Sequence, residues 1–349
     1  MEEKKPMKEK SFEDVLRMFA PGTSLRSALD DLLNARMGAL LVFENEFTEE
    51  IIEKSFRINA KFSSQKLVEL AKMDGAIILS GDGKKILYAN TLLFPDMGIT
   101  TKETGTRHKA AERTAKNAGA ITIAVSERKN KITLYYGDLR YELARISEIL
   151  RRAAETLQIL EKQKEDFDDL LTNFNVLEIN NLVTINDVCR IVQKIEIFKR
   201  ISDKVKRYLI ELGREGLMVN MRLKELASSF GKEKSILFQD YFESNSAQIL
   251  RILDKMDFDF LLETSNVSRM IFEELHDKPI SPKGFRLLDK TNLSAFQTKT
   301  LVLRFRILEN ILSANREELS EIFEKEETVD FFKEEIVNLR EKIMVGKKL

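Results

Sequence analysis

The residues of this sequence best suited to chemistry lie in two stretches that could bind phosphate. In residues 101–117, a turn at Gly105 leads into a helical pattern whose first turn holds the basic triplet 107–109. We predict Thr106 as the helix N-cap, so that free N–H groups and the positive end of the helix dipole face an anion. Residues 74–76, Asp-Gly-Ala, form the second stretch, an acidic turn directly before an apolar run.

Each stretch also has a simpler explanation. Asp-Gly is among the commonest turn dipeptides, and alone it marks a bend more often than an active site. A basic cluster at a helix start is electrostatically unfavourable unless something negative lies there, so a purely solvated surface is the less favoured alternative. His108 is one of two histidines, and a single histidine usually has a structural or surface role. The two stretches together indicate an active site more specifically than either one does alone.

The spacing of these motifs resembles that of the diadenylate cyclases, in particular the DNA-scanning members of that family. The resemblance rests on DGA at 74–76, GTRHKAAER at 105–113 and VSERKN at 125–130. It is strong over residues 10–142 and weaker through the helical middle, where residues 211–226 still match. It implies an enzyme that condenses two ATP molecules into cyclic di-AMP and releases two pyrophosphates.

The resemblance also implies roles for single residues. Asp74 is expected to bind Mg²⁺ or Mn²⁺ and to orient or deprotonate the attacking 3′-hydroxyl, with Arg107 and His108 completing the catalytic set. The basic triplet should hold the triphosphate and stabilise the leaving pyrophosphate. The nucleotide-binding residues that it implies are Gly75, Ala76, Leu93, Thr106, Arg107, His108, Lys109, Ala110 and Ser126.

Two positions depart from the family pattern. Lys109 stands where the family normally has arginine, so the charge is kept but the bidentate geometry of a guanidinium is lost. Ala110 stands where scanning members often have threonine, which removes a hydroxyl that could contact the nucleotide. Neither change removes the predicted chemistry.

A symmetric product implies symmetric active sites. Two cyclase domains must face each other, each with one bound ATP, so a monomer is expected to be inactive. The resemblance implies a homo-oligomer, an octamer in the family, and the long helical segment after Ile146 is consistent with that role. The partners that it implies are ATP, further copies of the chain and branched DNA.

The composition is that of a soluble, helix-rich chain of two or three domains. The 349 residues include 57 Lys+Arg and 57 Asp+Glu, so no global charge marks a nucleic-acid binder. Cys189 is the only cysteine, which excludes an intramolecular disulfide and a multi-cysteine metal site and favours a buried thiol. The charged N-terminal segment lacks a signal-peptide core, and no membrane-spanning stretch occurs, which predicts a cytoplasmic protein.

Apolar periodicity predicts alternating helices and strands through the first 140 or so residues, hence an α/β domain with a mixed sheet. Gly81-Asp82-Gly83 could suggest a phosphate loop, but its place between two apolar runs favours a hairpin turn. Helices are predicted at 11–20 and 24–36 and from Ser63 or Ser64, and strands at 38–43, 76–80, 85–90, 121–126 and 131–136.

The pattern becomes helical near Gly137 and stays so. Long helical spacing covers 143–198, with one helix beginning at Thr184, and further helices are predicted at 203–213 and 239–262. We therefore predict an all-α helical linker domain after the cyclase domain, and then a C-terminal helical domain of a degenerate helix-hairpin-helix kind. The predicted domains are 1–142, 143–275 and 276–349.

The C-terminal domain lacks the glycines that such hairpins use to approach DNA phosphates. After Gly284 the only glycine is Gly346, and residues 323–330, where a Gly-x-Gly hairpin is expected, are strongly acidic. Carboxylates repel a polyanion, and close backbone approach is harder without glycine. We therefore predict that binding of branched DNA is weakened or lost.

Two other classes of function remain open at this point. The chain could be a nucleotide-binding regulator, which would bind nucleotide without turnover. It could also be a DNA-binding scaffold, which the neutral charge balance and the acidic C-terminal stretch disfavour. The combination of Asp74 with the Arg107-His108 pair favours the enzyme.

Overall fold

The computed structural model describes residues 11–53, 56–242, 245–272, 278–323 and 326–348. The contacts divide the chain into two compact units, one of residues 1–153 with 206–219, the other of residues 154–205 with 220–349. The first ten residues of the predicted cyclase domain lie outside the described residues, as do Glu324 and Lys325 of the acidic C-terminal stretch.

The first unit contains a mixed sheet of eight strands, which confirms the predicted α/β class. The strand order is β2-β5-β4-β1-β6-β7-β8, with β3 also paired to β5. The β1–β4 pair is parallel, and the other pairs are antiparallel. The strands are β1 Ala39–Phe43, β2 Ile52–Glu53, β3 Phe56–Lys61, β4 Ala76–Leu79, β5 Lys85–Leu93, β6 Thr122–Ser126, β7 Lys131–Tyr136 and β8 Leu139–Leu143.

Helices cover both faces of this sheet. The period-two alternation of strand side chains sends Leu41 and Phe43 of β1 to one face and Leu40 and Val42 to the other. The first face packs on α1 (Phe12–Met18), α2 (Ser24–Asn34) and α3 (Ser64–Leu70). The second face packs on α4 (Thr106–Ala118) through Ala111, Ala115 and Ala118, whose small side chains let the helix lie close to the strands.

The predicted elements of this unit are present, and the predicted hairpin is confirmed because β4 pairs antiparallel with β5 across the 81–83 turn. Three strands were not predicted, namely β2, β3 and β8. They lie at the two sides of the sheet, and their side chains are mostly exposed or half-buried. The sequences of β3 and β8 alternate apolar and polar residues, a period-two signal that could have identified both, whereas β2 has only two residues.

The remainder of the described chain is helical, as predicted. The long helices are α5 Ile146–Ile179, α6 Ile185–Leu212 and α7 Leu217–Tyr241. The shorter ones are α8 Ser246–Lys255, α9 Phe258–Leu261, α10 Thr264–Phe272, α11 Phe285–Leu288, α12 Ala295–Phe305, α13 Leu308–Ser313 and α14 Arg316–Ser320, before the longer α15 Glu326–Met344. None of the helices in the described ranges is long and apolar enough to cross a membrane.

Two helical predictions were wrong in their limits. The helix expected at 203–213 is the final part of α6, which continues without a break from Ile185. The helix expected at 239–262 is divided among the end of α7, α8 and α9. Helix α7 ends at Tyr241 and α8 begins at Ser246, and Met256 and Asp257, which both adopt extended backbone angles, separate α8 from α9. The start predicted at Thr184 is confirmed, since Thr184 and Asp187 exchange side-chain to backbone hydrogen bonds of 3.0 and 3.3 Å.

A buried ion network holds α11 within the second unit. The Arg286 guanidinium, fully buried, donates to Glu178 of α5 at 2.5 Å and also to Asn175. The Asp240 carboxylate of α7 accepts the backbone N–H groups of residues 284–286 at 2.7–2.8 Å. These bonds satisfy the N-terminal N–H groups of a four-residue helix, which fixes where the C-terminal helices begin.

Candidate functional site

The motif residues meet at one edge of the sheet. Because β1 runs parallel to β4 and antiparallel to β6, and β5 runs antiparallel to β4, the starts of β1 and β4 lie beside the ends of β5 and β6. Leu41 pairs with Ile77, so Gly38 and Asp74, which come shortly before β1 and β4, both lie at this edge. We call this edge, with the start of α4, the motif edge.

The basic first turn of α4 contacts the motif edge at Gly38. A Cβ atom added to Gly38 would lie 2.0 Å from Nη1 of Arg107, so the guanidinium rests on the bare Cα at the start of β1. Sequence reasoning did not identify Gly38. The only sequence signal was a glycine directly before a buried strand.

The predicted N-cap was wrong by one residue. Gly105, not Thr106, is the N-cap of α4; it has extended angles and no side-chain cap, and its carbonyl accepts from the N–H of Lys109 at 2.9 Å. Because glycine offers no side-chain acceptor and the first turn has no acidic residue, the helix start is open to an external anion.

Gly75 is required by the strand pairing itself. It has φ +86°, and an added Cβ would lie 2.9 Å from both N and O of Thr91, the β5 residue that pairs with Ala76. This tight bend lies directly before β4, and Asp74, the residue before it, is exposed. Its carboxylate is therefore accessible from solvent, on the same edge as Arg107.

Glu103, which sequence reasoning missed, links the basic turn to two strands. Its carboxylate accepts from the Tyr135 hydroxyl at 2.9 Å and from Nε of Arg140 at 2.6 Å, and these two donors are directly opposite each other on β7 and β8. Burial raises the pKa of Glu103, but the hydrogen bonds from Arg140 and Tyr135 outweigh it and leave the pKa below its usual value. Glu103 therefore carries a negative charge at neutral pH.

His108 is half-buried beside that charge. Burial lowers its pKa, and the cations Lys129, Arg107 and Arg140 lower it further, whereas Glu103 raises it. The net shift is downward from the ordinary value of 6.5, so the imidazole is neutral at pH 7. A neutral ring keeps one N–H donor for a phosphate oxygen.

The loop before α4 is fastened to the helix that it precedes. The Thr101 hydroxyl donates to Glu112, whose other oxygen accepts from Lys116 at 2.8 Å. Nε of Arg113 donates to the carbonyl of Ile99 at 3.0 Å. The charged residues of the second and third turns of α4 thus bind the loop, whereas the basic residues of the first turn remain available to a ligand.

The other predicted residues lie around the same edge. Leu93 ends β5, and both Leu93 and Ala110 pack against the apolar cluster under α4. Ser126 ends β6, and its hydroxyl accepts from the N–H of Lys129 at 3.2 Å. Thr106 and Lys109 are exposed at the helix start. The structure thus brings the elements that carry the predicted residues to one edge.

The donor set fits a metal that arrives with the nucleotide. No group of three or more His, Cys, Asp or Glu residues that could hold a metal occurs in the part of the chain that the structure describes. Mg²⁺ commonly binds through one or two carboxylates together with substrate phosphates and water. Asp74, a single exposed carboxylate beside a basic helix start, suits that mode.

Cys189 takes no part in this edge. It is fully buried on α6, and burial raises the pKa of its thiol to about 12, which makes it unreactive. The predicted structural role of the only cysteine is confirmed.

Comparison with known proteins supplies independent findings. The family model described as DisA bacterial checkpoint controller nucleotide-binding matches residues 26–139, and that of the DisA linker region matches residues 143–274. The DNA integrity scanning protein DisA of Clostridioides difficile is 42% identical over 315 residues, 88% of each chain. The DisA protein of Clostridium kluyveri is 39% identical over 349 residues, 98% of this chain and 99% of that one.

Solved structures also match part of the chain. A double-mutant DacA from Staphylococcus aureus covers 41% of this chain and 95% of that chain, with 25% sequence identity and a TM-score of 0.30.

Proposed function

The chain belongs to the family of DisA bacterial checkpoint controllers and is a diadenylate cyclase, and we propose that its active site is the motif edge. The observation that carries this proposal is the contact of Arg107 with Gly38, directly before β1, whose parallel neighbour β4 begins two residues after Asp74. One edge thus offers a carboxylate, a guanidinium and an uncapped helix start to a single nucleotide.

We assign the phosphate contacts to α4. The N–H groups of its first turn, the Arg107 guanidinium, the Lys109 ammonium and the neutral imidazole of His108 would hold the triphosphate and stabilise the pyrophosphate as it leaves. Leu93 would form the wall beside the adenine, and Ala110 and Ser126 would border the same nucleotide.

Asp74 acts on the nucleophile in this proposal. The 3′-hydroxyl of one ATP attacks the α-phosphorus of the other, the new P–O bond forms, and pyrophosphate leaves with the bridging oxygen. The carboxylate of Asp74 orients the hydroxyl and accepts its proton. Bound Mg²⁺ or Mn²⁺, held by Asp74 and the phosphates, would neutralise phosphate charge.

Glu103 is a positioning residue in this account. It acts through its neighbours: it joins the loop before α4 to Tyr135 and Arg140, and its negative charge acts on His108. Burial raises the pKa of Tyr135, so its hydroxyl stays protonated as a donor to Glu103. The network fixes where the basic turn begins.

The exposure of the site suggests that a second copy of the chain completes the enzyme. Asp74, Thr106, Arg107 and Lys109 are all exposed, as expected for a surface that a second copy of the chain covers during catalysis. We propose that two motif edges face each other, each with one ATP, within a homo-oligomer. Regulation by branched DNA is a further proposal, weakened by the C-terminal sequence.

Incubation of the purified chain with ATP and Mn²⁺ or Mg²⁺, followed by chromatography and mass spectrometry, tests this function. Cyclic di-AMP and pyrophosphate should appear in a ratio of one to two. Saturable ATP binding without any product would instead support the nucleotide-binding regulator.

A further inference from the structure

Helix α4 packs on the sheet through a row of small side chains. Ala111, Ala115 and Ala118 pack in one buried cluster with Ala76 and Ala124 of the strands. Alanine side chains form only shallow ridges on a helix, so burial fixes the height of α4 above the sheet more firmly than its position along its own axis. That axial position decides where the basic first turn of α4 meets the motif edge.

A buried hydrogen bond between β6 and α4 fixes this position. Thr122, the first residue of β6, is fully buried, and its hydroxyl donates to the carbonyl of Ala111 at 2.9 Å. The carbonyl of Tyr135 on β7 lies farther from the same hydroxyl, at 3.5 Å. Because a hydrogen bond weakens steeply when its length or angle changes, the bond to Ala111 resists sliding and rotation of α4.

This hydrogen bond lies one helical turn from the motif edge. Ala111 follows Arg107 by four residues, so its N–H bonds to the carbonyl of Arg107 and the two residues lie on the same side of α4. Arg107 tolerates little displacement, since its guanidinium lies where a Cβ of residue 38 would be. A shift of α4 at Ala111 would therefore move the basic turn away from its contact with Gly38.

Other buried hydroxyl groups near α4 make no such bond. Thr114 lies on α4 and Thr91 on β5; both are buried, and within the described ranges neither hydroxyl has a hydrogen-bond partner. The side chain of Asn45 donates to the carbonyl of Ala118 at 2.6 Å, but this bond holds the opposite end of α4. Thr122 thus bonds to the sheet the half of α4 that carries the basic turn.

We propose that Thr122 is a positioning residue for the cyclase reaction: its hydroxyl fixes α4 on the sheet so that the basic first turn meets the phosphates of ATP. Because Thr122 is fully buried, it acts through Ala111 and the turn that precedes it. The inference deepens the proposed function and rests on it, since it assumes that the motif edge binds the nucleotide.

Replacing Thr122 by valine in the full chain tests this role, because a methyl group of similar size takes the place of the hydroxyl. A methyl group cannot bond to the Ala111 carbonyl or approach it as closely, so α4 should shift. We expect kcat for cyclic di-AMP synthesis to fall about five- to tenfold in Thr122→Val. Thr122→Ser keeps the hydroxyl and should restore most of the lost rate.

Thr114→Val is the matched control, because it removes from the same helix a buried hydroxyl that has no partner in the described part of the chain. It should keep the wild-type rate. An equal loss of rate in Thr114→Val, or no recovery in Thr122→Ser, would overturn the role of the Thr122 hydroxyl.

Two measurements without turnover accompany the assay, namely the affinity for a non-hydrolysable ATP analogue and the NMR signal of His108. In Thr122→Val the analogue should bind about threefold more weakly or worse, and the His108 signal should shift. A Thr122→Val variant that melts at a lower temperature but keeps the wild-type kcat, affinity and His108 signal would show a merely structural role. If the wild type made no cyclic di-AMP, the proposed function would fail, and the binding and NMR results would still decide the role of Thr122.

Discussion

The Arg107 guanidinium lies against Gly38, and replacing this glycine by alanine, which adds one methyl group, tests whether that contact is needed. In Gly38→Ala the new Cβ would occupy the place of the guanidinium, so Arg107 must move. Because the displaced atoms are the tip of a flexible side chain, the fold should be kept. We expect kcat/KM for ATP to fall by about 10- to 100-fold with little change in melting temperature.

Gly231→Ala is the matched control. Gly231 lies on α7, and a Cβ there would meet nothing within 4 Å. Its activity should equal that of the wild type. Full activity of Gly38→Ala would show that the position of Arg107 does not matter for turnover.

Glu103 affects His108 through charge, which can be measured without substrate. Since the negative charge of Glu103 raises the pKa of His108, Glu103→Gln should lower that pKa further below 6.5. NMR titration of the imidazole signals measures it. His276, the other histidine, is the internal reference.

Glu142→Gln provides the control for this titration, because Glu142 pairs with Lys131 at 2.5 Å and does not act on His108. Its His108 signal should titrate as in the wild type. An unchanged or raised His108 pKa in Glu103→Gln would contradict the effect of the Glu103 charge on His108.

The sequence identified the motif residues but not the residues that position them. Asp74 and the basic triplet were recognisable from type and spacing within short segments. Gly38 and Glu103 gain their roles only when the sheet register and the loop before α4 are formed. A glycine before a strand and a glutamate in a polar loop carry no such signal alone.

At the level of elements, the turn between α12 and α13 shows a local conflict between sequence and backbone. Arg306 has φ +67°, and the N–H of Ile307 donates to the carbonyl of Phe305 at 2.9 Å, a strained three-residue turn. Left-handed backbone costs a non-glycine residue about 1–2 kcal/mol. Glycine avoids this cost, but it lowers the stability of the folded protein by about 0.4–1 kcal/mol because the unfolded chain becomes more flexible.

Arg306→Gly should therefore stabilise this part of the second unit by about 0.5–1 kcal/mol. Hydrogen exchange of the α12 and α13 amides would show slower opening. Arg304→Ala, which removes a neighbouring exposed charge without relieving the backbone, should give no such gain. Faster exchange in Arg306→Gly would mean that the arginine side chain stabilises the turn.

The buried elements were predicted from the sequence, and the strands at the sides of the sheet were not. The strands β1, β4, β6 and β7 each have at least four consecutive buried residues, most of them apolar, and α2 has a clear apolar face. Two of the strands at the sides of the sheet, β3 and β8, alternate apolar and polar residues and were predictable although they were missed, whereas two-residue β2 is defined only by its pairing with β5. The break between α8 and α9 depends on two extended residues, Met256 and Asp257, with no glycine or proline to mark it.

At the scale of the whole molecule, the C-terminal sequence predicts a cyclase whose activity responds little to DNA. Between α14 and α15 the chain has no glycine, and α15 opens with Glu326 and Glu327. We expect binding of a four-way DNA junction to be weaker than for a relative that keeps a Gly-x-Gly hairpin. Tight binding that weakens steeply with salt, together with lower cyclase activity, would show that the missing glycines are not needed.

The central claim is that the motif edge joins the two ATP molecules through Asp74. The most direct measurement is chromatographic assay of cyclic di-AMP for Asp74→Asn beside Asp138→Asn, an exposed turn carboxylate on the same unit. We predict that Asp74→Asn loses at least about 100-fold in rate while it still binds ATP and keeps its oligomeric state, and that Asp138→Asn is unaffected. Synthesis by Asp74→Asn at the wild-type rate would contradict the assignment of the active site.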